Sequence, residues 1–320
     1  MSQLLKILMF AACALLALPA TAAETMNLSI ATGGTGGVYY PLGGGLANVL
    51  SKTIPGMTAT AEVTGGSVDN MRLIGTGKSY IAFTQADAAQ DALNGEDKFK
   101  GTKIPVRAMM MLYTNLMHAV TVEGTGINTI NDLRGKRVST GSPGSATEVF
   151  AFRVLEAAGI DPKKDIKSER LGASESVNAI KDKKIDAFFF VVGLPTSSVT
   201  DLASTPGTKI KFIDHANLIG AMTKKYGNIY IADVIPKGTY AGMDKDNQAT
   251  AVANLLVTNA NMSDQTVYNI VKTVFDKRPD LIAVHKTAAD ITLEKQKVEA
   301  SPVPWHPGAV RYFKEKGLKF

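Results

Sequence analysis

The residues best placed to do chemistry in this chain are glycines and hydroxyls rather than acids, bases or nucleophiles. The stretch TGGTGGVYYPLGGGLA, residues 32–47, holds seven of the chain's 29 glycines and follows an apolar segment, NLSIA, that reads as a strand. A strand that runs through glycines into a helix lets backbone N–H groups converge on one point, and the helix start adds partial positive charge. That combination suits a small anion; a plain tight turn is the other use of the same residues, and spacing alone leaves both open. A dinucleotide fingerprint is excluded, because Tyr39 takes the third glycine position after Gly34 and Gly36 and no acidic ribose partner follows. A nucleotide phosphate loop is excluded as well, since no lysine stands between Thr32 and Ser51.

Three further turns share this character. In TGSPGSATE, Ser145 and Glu148 have the spacing of a capping box, and Gly141, Pro143 and Gly144 expose the turn before it. Ser142 and Thr147 either offer hydroxyls to a ligand or cap the helix. TGGSVDN sets Ser67 at another helix start, and Gln85 ends the apolar segment IAFT, at the strand edge where open α/β sheets hold ligands. Catalytic templates fail: Gly65 and Ser67 lack the last glycine of a nucleophile elbow, and no Ser-x-x-Lys occurs. The histidines at 118, 215, 285 and 306 lack metal-ligand spacing. His306, between Trp305 and Pro307, reads as a packing or turn residue.

The elements that must position these turns follow a regular order. Strands at 27–31, 58–63 and 81–84 alternate with helices at 41–51, 68–76 and 86–94, the pattern of an α/β unit with a largely parallel sheet. Two apolar strands, 107–113 and 117–122, flank Thr114 and Asn115, and a polar connector spans 124–131. The order then restarts with strands at 137–140, 169–171, 185–192 and 210–213 and helices at 145–158, 174–181 and 195–203. A strand at 249–258 precedes a mainly helical end, with Ser263 capping the first helix there. Crossings near residues 120 and 252 predict two lobes joined by a two-strand hinge, lobe 1 being 24–122 plus 250–320 and lobe 2 being 123–249.

The N-terminus points to export. One positive charge in residues 1–6, an apolar run at 7–18 and Ala20-Thr21-Ala22 read as a signal peptide of residues 1–23, removed after Ala22 or Ala23. The run is shorter than the roughly 20 residues of a spanning helix. The only cysteine, Cys13, lies inside it, so the mature chain carries no thiol for disulfide, metal or catalysis. At 320 residues, 45% hydrophobic and 20% charged, the chain is long enough for more than one core. The net charge of +6 falls to +5 without Lys6, and the lysines are interleaved with acids and lack aromatic partners, which argues against nucleic acid.

Together TGGTGGVYYPLG, GGSVDNMRLI, AFTQAD, DLRGKRVSTGSPGSATE and PVPWHPGAVRYFKEKG resemble the TAXI family of solute-binding proteins from TRAP transporters, over nearly the whole mature chain. Trp305 stands where the family pattern often has leucine. The resemblance implies a two-lobe, type II periplasmic binding-protein fold of class α/β, with the ligand in the cleft. It also implies a periplasmic receptor, not an enzyme, that delivers its solute to a membrane permease driven by an ion gradient. A small carboxylate or dicarboxylate such as glutamate, glutamine or 2-oxoglutarate is the implied ligand. Carried over by motif, the site comprises Gly36, Gly37, Tyr39, Tyr40, Ser67 and Gln85 on one lobe and Ser142, Gly144, Ser145 and Val191 on the other. No cofactor, metal or nucleic acid is expected, and the chain is expected to act as a monomer. Two alternatives stand beside this one: a periplasmic sensor for a membrane receptor kinase, and a secreted enzyme on the same fold, which would need a base or nucleophile in the cleft. For an ammonium on the ligand, Asp87 and Glu148 are the candidate acceptors.

Overall fold

The computed structural model describes residues 25–78 and 80–320; the expected signal peptide, with Cys13, lies outside the described residues. Three parallel strands open the fold, Met26–Ala31 (β1) lying between Met57–Glu62 (β2) and Tyr80–Gln85 (β3). Each leads into a helix: Tyr39–Thr53 (α1), Ser67–Gly75 (α2) and Ala86–Asn94 (α3). The long strand Val106–Val122 (β4) leaves this half. A second parallel set follows, Arg137–Ser139 (β5) between Lys167–Glu169 (β6) and Ala187–Val192 (β7). Its helices are Ala146–Ala157 (α4), Ala173–Lys181 (α5) and Ser197–Ala203 (α6). After Ile210–Phe212 (β8), Ile219–Tyr226 (α7) and Tyr230–Ile235 (β9), a second long strand, Asn247–Asn259 (β10), returns to the first half. There Asp264–Asp276 (α8), Arg278–Val284 (α9) and Pro307–Glu315 (α10) complete the chain.

The strands form one sheet in the order β2-β1-β3-β10-β4-β7-β5-β6, with β8 on β4 and β9 on β10. Both long strands cross from one half to the other. β10 pairs antiparallel with β3 through 254–258 and with β9 through 247–252, while β4 pairs with β7 through 116–121. Between the halves they pair with each other, Thr114 opposite Ala253 and Asn115 opposite Val252. The two strands predicted at 107–113 and 117–122 are therefore one, because Thr114 and Asn115 keep ladder partners on β10 and do not turn. The strand predicted at 169–171 lies instead at Lys167–Glu169, and β9 and α7 were not predicted.

Helix α1 shows how the glycine-rich stretch divides. Its buried face, Leu42, Leu46, Val49 and Leu50, packs into the core of the first half, each side chain contributing roughly 1.5–3 kcal/mol by leaving water. Pro41 sits in the first turn, where its missing N–H has no helical partner to lose. Gly43, Gly44 and Gly45 lie inside the helix. A Cβ on Gly43 would run into Thr32 Cγ2, and one on Gly45 would lie 2.7 Å from Val284 on α9. Those two glycines let α1 lie close to β1 and α9.

One side chain seats the binding loops on the sheet. Asn70, fully buried on α2, donates to the carbonyls of Thr32 (2.6 Å) and Phe83 (2.7 Å) and accepts from the Thr64 hydroxyl (2.7 Å). It thus ties the ends of β1 and β3 to the turn before its own helix. The PVPWHPG segment is likewise structural. His306 caps α10, its Nδ1 accepting from Gly308 N at 3.2 Å and its Nε2 lying 3.0 Å from Met262 O, as its packing or turn role predicts.

A buried ionic cluster joins the halves. Arg153 on α4 donates to Asp91 on α3 (2.6 Å), to Asp97 (3.2 Å) and to the Tyr230 hydroxyl (2.8 Å), which donates to Asp87 (2.7 Å). Burial and the neighbouring carboxylates push Asp91 up to about 6, while the surrounding anions keep the guanidinium charged.

His118 and His215 are fully buried, and loss of solvation lowers each pKa to about 4. For these two groups the unfolded chain, titrating near 6.5, takes up protons that the folded chain refuses. Their contribution to stability is whole above about pH 6.5 and is lost as the pH falls toward 4; Asp91, with a raised pKa, acts in the opposite sense. Urea midpoints measured from pH 7 to pH 5 should fall less steeply in His118→Gln than in the unaltered protein. Equal slopes would contradict the burial of a neutral His118.

Candidate functional site

The glycine loop, the second-half turns and the end of β7 enclose one cavity of about 110 Å³. From the first half it is lined by residues 33–39, Gly65, Gly66, Ser67 and Gln85. Gly141, Ser142, Ser145, Ala146 and Thr147 line it from the second half, with residues 171–175 and 189–192. Five helices begin at its wall: α1, α2, α3, α4 and α5. Only α4 has a side chain on its N-cap residue that accepts from the first turn; in α2 the Asp69 N–H is taken by Gly144 O and in α3 the Ala88 N–H by Asp87 Oδ1. Each start carries up to about half a positive charge. Among the described lining residues there is no lysine, arginine or histidine.

The halves are latched over this cavity. The Gly36 carbonyl accepts from Thr196 Oγ1 (2.7 Å), Ser197 Oγ (3.2 Å) and Ser198 N (3.2 Å) at the start of α6. Ser142 Oγ donates to Gly65 O at 3.0 Å, and Asp69 N to Gly144 O at 3.1 Å. Contacts this close leave no room for side chains. A Cβ on Gly36 would lie 2.5 Å from Ser174 Oγ and 3.2 Å from Ser198 Cβ, and one on Gly37 would lie 3.1 Å from the Phe190 ring.

Eight of the ten sequence-derived residues meet at the cavity: Gly36, Gly37, Tyr39, Ser67, Gln85, Ser142, Ser145 and Val191. Tyr40 turns outward, 39% exposed, because it follows Tyr39 on the opposite face of the first helical turn. Gly144 stands behind the wall, where its carbonyl holds Asp69 N. The hydroxyls also differ in what they have left to give. Ser145 donates to Ser142 O (2.7 Å) and accepts from Glu148 N (3.2 Å), so its proton is used within the turn. Ser142 spends its proton on Gly65, and Thr147 accepts from Val191 N (3.3 Å).

Tyr39 stacks on Phe83 and donates to Asn254 Oδ1 while accepting from Asn115 Nδ2, both at 3.2 Å, on the two crossing strands. Burial raises its pKa, which keeps the phenol protonated. Ser67 Oγ accepts from Gln85 N at 3.2 Å and stands as a hydrogen-bond partner beside the Tyr39 hydroxyl. Gln85 is 3% exposed with Oε1 unpartnered among them.

Asp87 and Glu148, the acceptors considered for an ammonium, do not line the cavity. Asp87 accepts from Tyr230, and Glu148 is held by Arg170 and by Lys98 at 3.1 Å. Sequence reasoning missed Thr35, Ser174, Glu175 and the Thr196-Ser197-Ser198 latch. The signal for Ser174 and Glu175 was present: the helix predicted at 174–181 repeats the strand–turn–helix order of the other four.

A family model described as the NMT1-like family matches residues 30–317. The chain belongs to the NMT1-like family. Among solved structures, this NMT1-like chain is similar to a protein from Bordetella bronchiseptica RB50, with 17% identity over 91% of this chain and 98% of that one and a TM-score of 0.55. It is similar to the periplasmic binding protein BugD, with 14% identity over 92% and 94% of the two chains and a TM-score of 0.52. A binding protein component of an ABC phosphonate transporter from Pseudomonas aeruginosa has 12% identity over 82% and 79%, with a TM-score of 0.51. At such identities the likeness is one of fold, and the NMT1-like chain has the α/β, type II periplasmic binding-protein fold expected from its sequence.

A Cβ on Gly65 would lie 2.5 Å from the Pro143 carbonyl on the facing half. The same Cβ would meet Asp69 Oδ2 of its own half at 2.5 Å, but that side chain can turn aside where the backbone carbonyl cannot, so Gly65→Ala should hold the halves apart and small-angle scattering should give a larger radius of gyration than for the unaltered protein. An unchanged radius would show that this contact does not limit closure.

Proposed function

We propose that the chain is a periplasmic solute-binding protein of a TRAP transporter of the TAXI type. It binds a small carboxylate or dicarboxylate such as glutamate or 2-oxoglutarate and delivers it, as a monomer, to an ion-gradient-driven membrane permease. The observation that carries the ligand class is the cavity itself, where five helix starts meet around a space of about 110 Å³ and no cationic side chain is found among the described lining residues. Oriented N–H and O–H groups stabilise a carboxylate in such a space because each charge-assisted bond offsets part of the lost hydration. The sequence resemblance supports the transporter class, and the signal-like N-terminus supports export.

Ligand capture follows from the crossing strands. Lobe 1, residues 24–122 plus 250–320, and lobe 2, residues 123–249, swing about β4 and β10. The solute touches both walls, so it favours the closed arrangement by its differential contacts. The Gly36 and Gly65 carbonyls then complete the latch with Thr196 and Ser142.

Small carboxylates should raise the melting temperature, with stabilisation of about 2.7 kcal/mol at a hundredfold excess over Kd. A broad panel including glutamate and 2-oxoglutarate that leaves the transition unmoved would reject the ligand class. Ser67→Ala removes a hydroxyl that lines the cavity and should weaken binding by about 1.5–3 kcal/mol. Ser145→Ala should instead lower stability by about 0.5–2 kcal/mol through the lost cap. Calorimetric titration beside urea melts separates the two; a reversed order would reject these assignments.

A further inference from the structure

The two crossing strands change partners at one place, and the ladder is irregular there. On β10 the pairing with β9 ends at Val252 and the pairing with β3 begins at Asn254; on β4 the pairing with β7 begins at Leu116. Between these points Thr114 stands opposite Ala253 but Met111 opposite Leu255, so Leu112 and Tyr113 face Asn254 alone. Two residues against one make a bulge, which bends its strand and raises the local twist. A second irregularity, between Leu256 and Val257, falls within the first half.

One phenol reaches both strands beside the first bulge. Tyr39, in the first turn of α1, donates to Asn254 Oδ1 and accepts from Asn115 Nδ2, both at 3.2 Å. The same residue lines the cavity, stacks on Phe83 and has Ser67 beside its hydroxyl. Asn115 and Asn254 are fully buried, and each keeps one amide atom, Oδ1 and Nδ2 respectively, without a partner among the described residues. So do the Tyr113 hydroxyl in the bulge and Oε1 of Gln85, which is opposite Asn254 in the ladder. A spare amide donor beside spare acceptors has other bonds to make when the strands shift. We infer that Tyr39 is a positioning residue that couples the glycine loop to the hinge. The halves bend at the bulge, and the phenol carries that bend to the loop, so the loop and the angle between the halves change together. This goes beyond the ligand class: it rests on the halves swinging about β4 and β10, not on which solute they hold.

Hydrogen exchange followed by NMR on the full mature protein tests the coupling without a solute. Tyr39→Phe keeps the stacked ring and removes the hydroxyl, while Asn254→Ala alters the hinge. Each should speed exchange about tenfold at the Gly37 and Leu42 amides, which bond to Gly34 O and Val38 O, and the double variant should be no faster than the quicker single one. Spin labels at Lys52→Cys on α1 and Lys167→Cys on β6, both exposed sites in a chain with no cysteine after residue 13, report the angle between the halves. Their distance distribution should widen by about half in Tyr39→Phe. Asn115→Ala, which removes the other bond to the phenol, should match Tyr39→Phe in both measurements. Loop amides that keep their rates in Asn254→Ala, effects that multiply in the double variant, or a mismatch between Asn115→Ala and Tyr39→Phe overturn the inference. So does a distribution that Gly65→Ala shifts and Tyr39→Phe leaves as narrow as before, and in that case the swing itself stands. If Gly65→Ala leaves it unmoved as well, the swing about β4 and β10 falls and the inference falls with it.

Discussion

The Gly36 carbonyl is the contact on which the arrangement depends. Three donors from the start of α6 converge on it, so the loop is held from across the cleft by its backbone alone. A loop held in this way has to be bare: Ser174, Ser198 and Phe190 stand where side chains on Gly36 and Gly37 would go. The same contact favours hydroxyl residues at 196 and 197, since an apolar side chain at either takes away one of the carbonyl's three donors, at a cost of about 0.5–1.5 kcal/mol.

Topology supplies the charge that the side chains do not. Five strand-to-helix turns, after β1, β2, β3, β5 and β6, open on one space, and parallel connections aim their helix starts the same way relative to the strands that feed them. The positive field is built from peptide dipoles that the backbone already fixes in place, and it needs no long cationic side chain to be ordered. Arginine is used elsewhere: Arg153 joins α3 to α4, and Arg170 neutralises Glu148.

Much of this was legible in the residues because strand–turn–helix order is a local property. Glycine, serine and threonine mark turns by their own conformational and capping preferences, which brought Gly36, Gly37, Ser67 and Ser142 into view. Continuity of β4 was not legible, since Thr114 and Asn115 look like turn residues until β10, more than a hundred positions later, supplies their ladder partners. The hydroxyl roles were hidden for a related reason. Whether a serine offers its proton outward depends on which carbonyl lies beside it, and for Ser142 that carbonyl is Gly65, 77 residues away. Tyr40 and Gly144 show the limit of motif transfer: adjacent residues in a helix or a turn face different ways.

The packing of α1 on α9 bears on how the protein comes into being. Val284 occupies the notch left by Gly45, and Asn254 on β10 receives the Tyr39 hydroxyl, so the helix that carries the earliest loop is seated by some of the latest residues to be made. During synthesis the N-terminal strands and their glycine loop emerge long before this seat exists. The loop cannot take its final form from the first half of the chain alone, and the cavity it lines is completed only when synthesis is nearly finished.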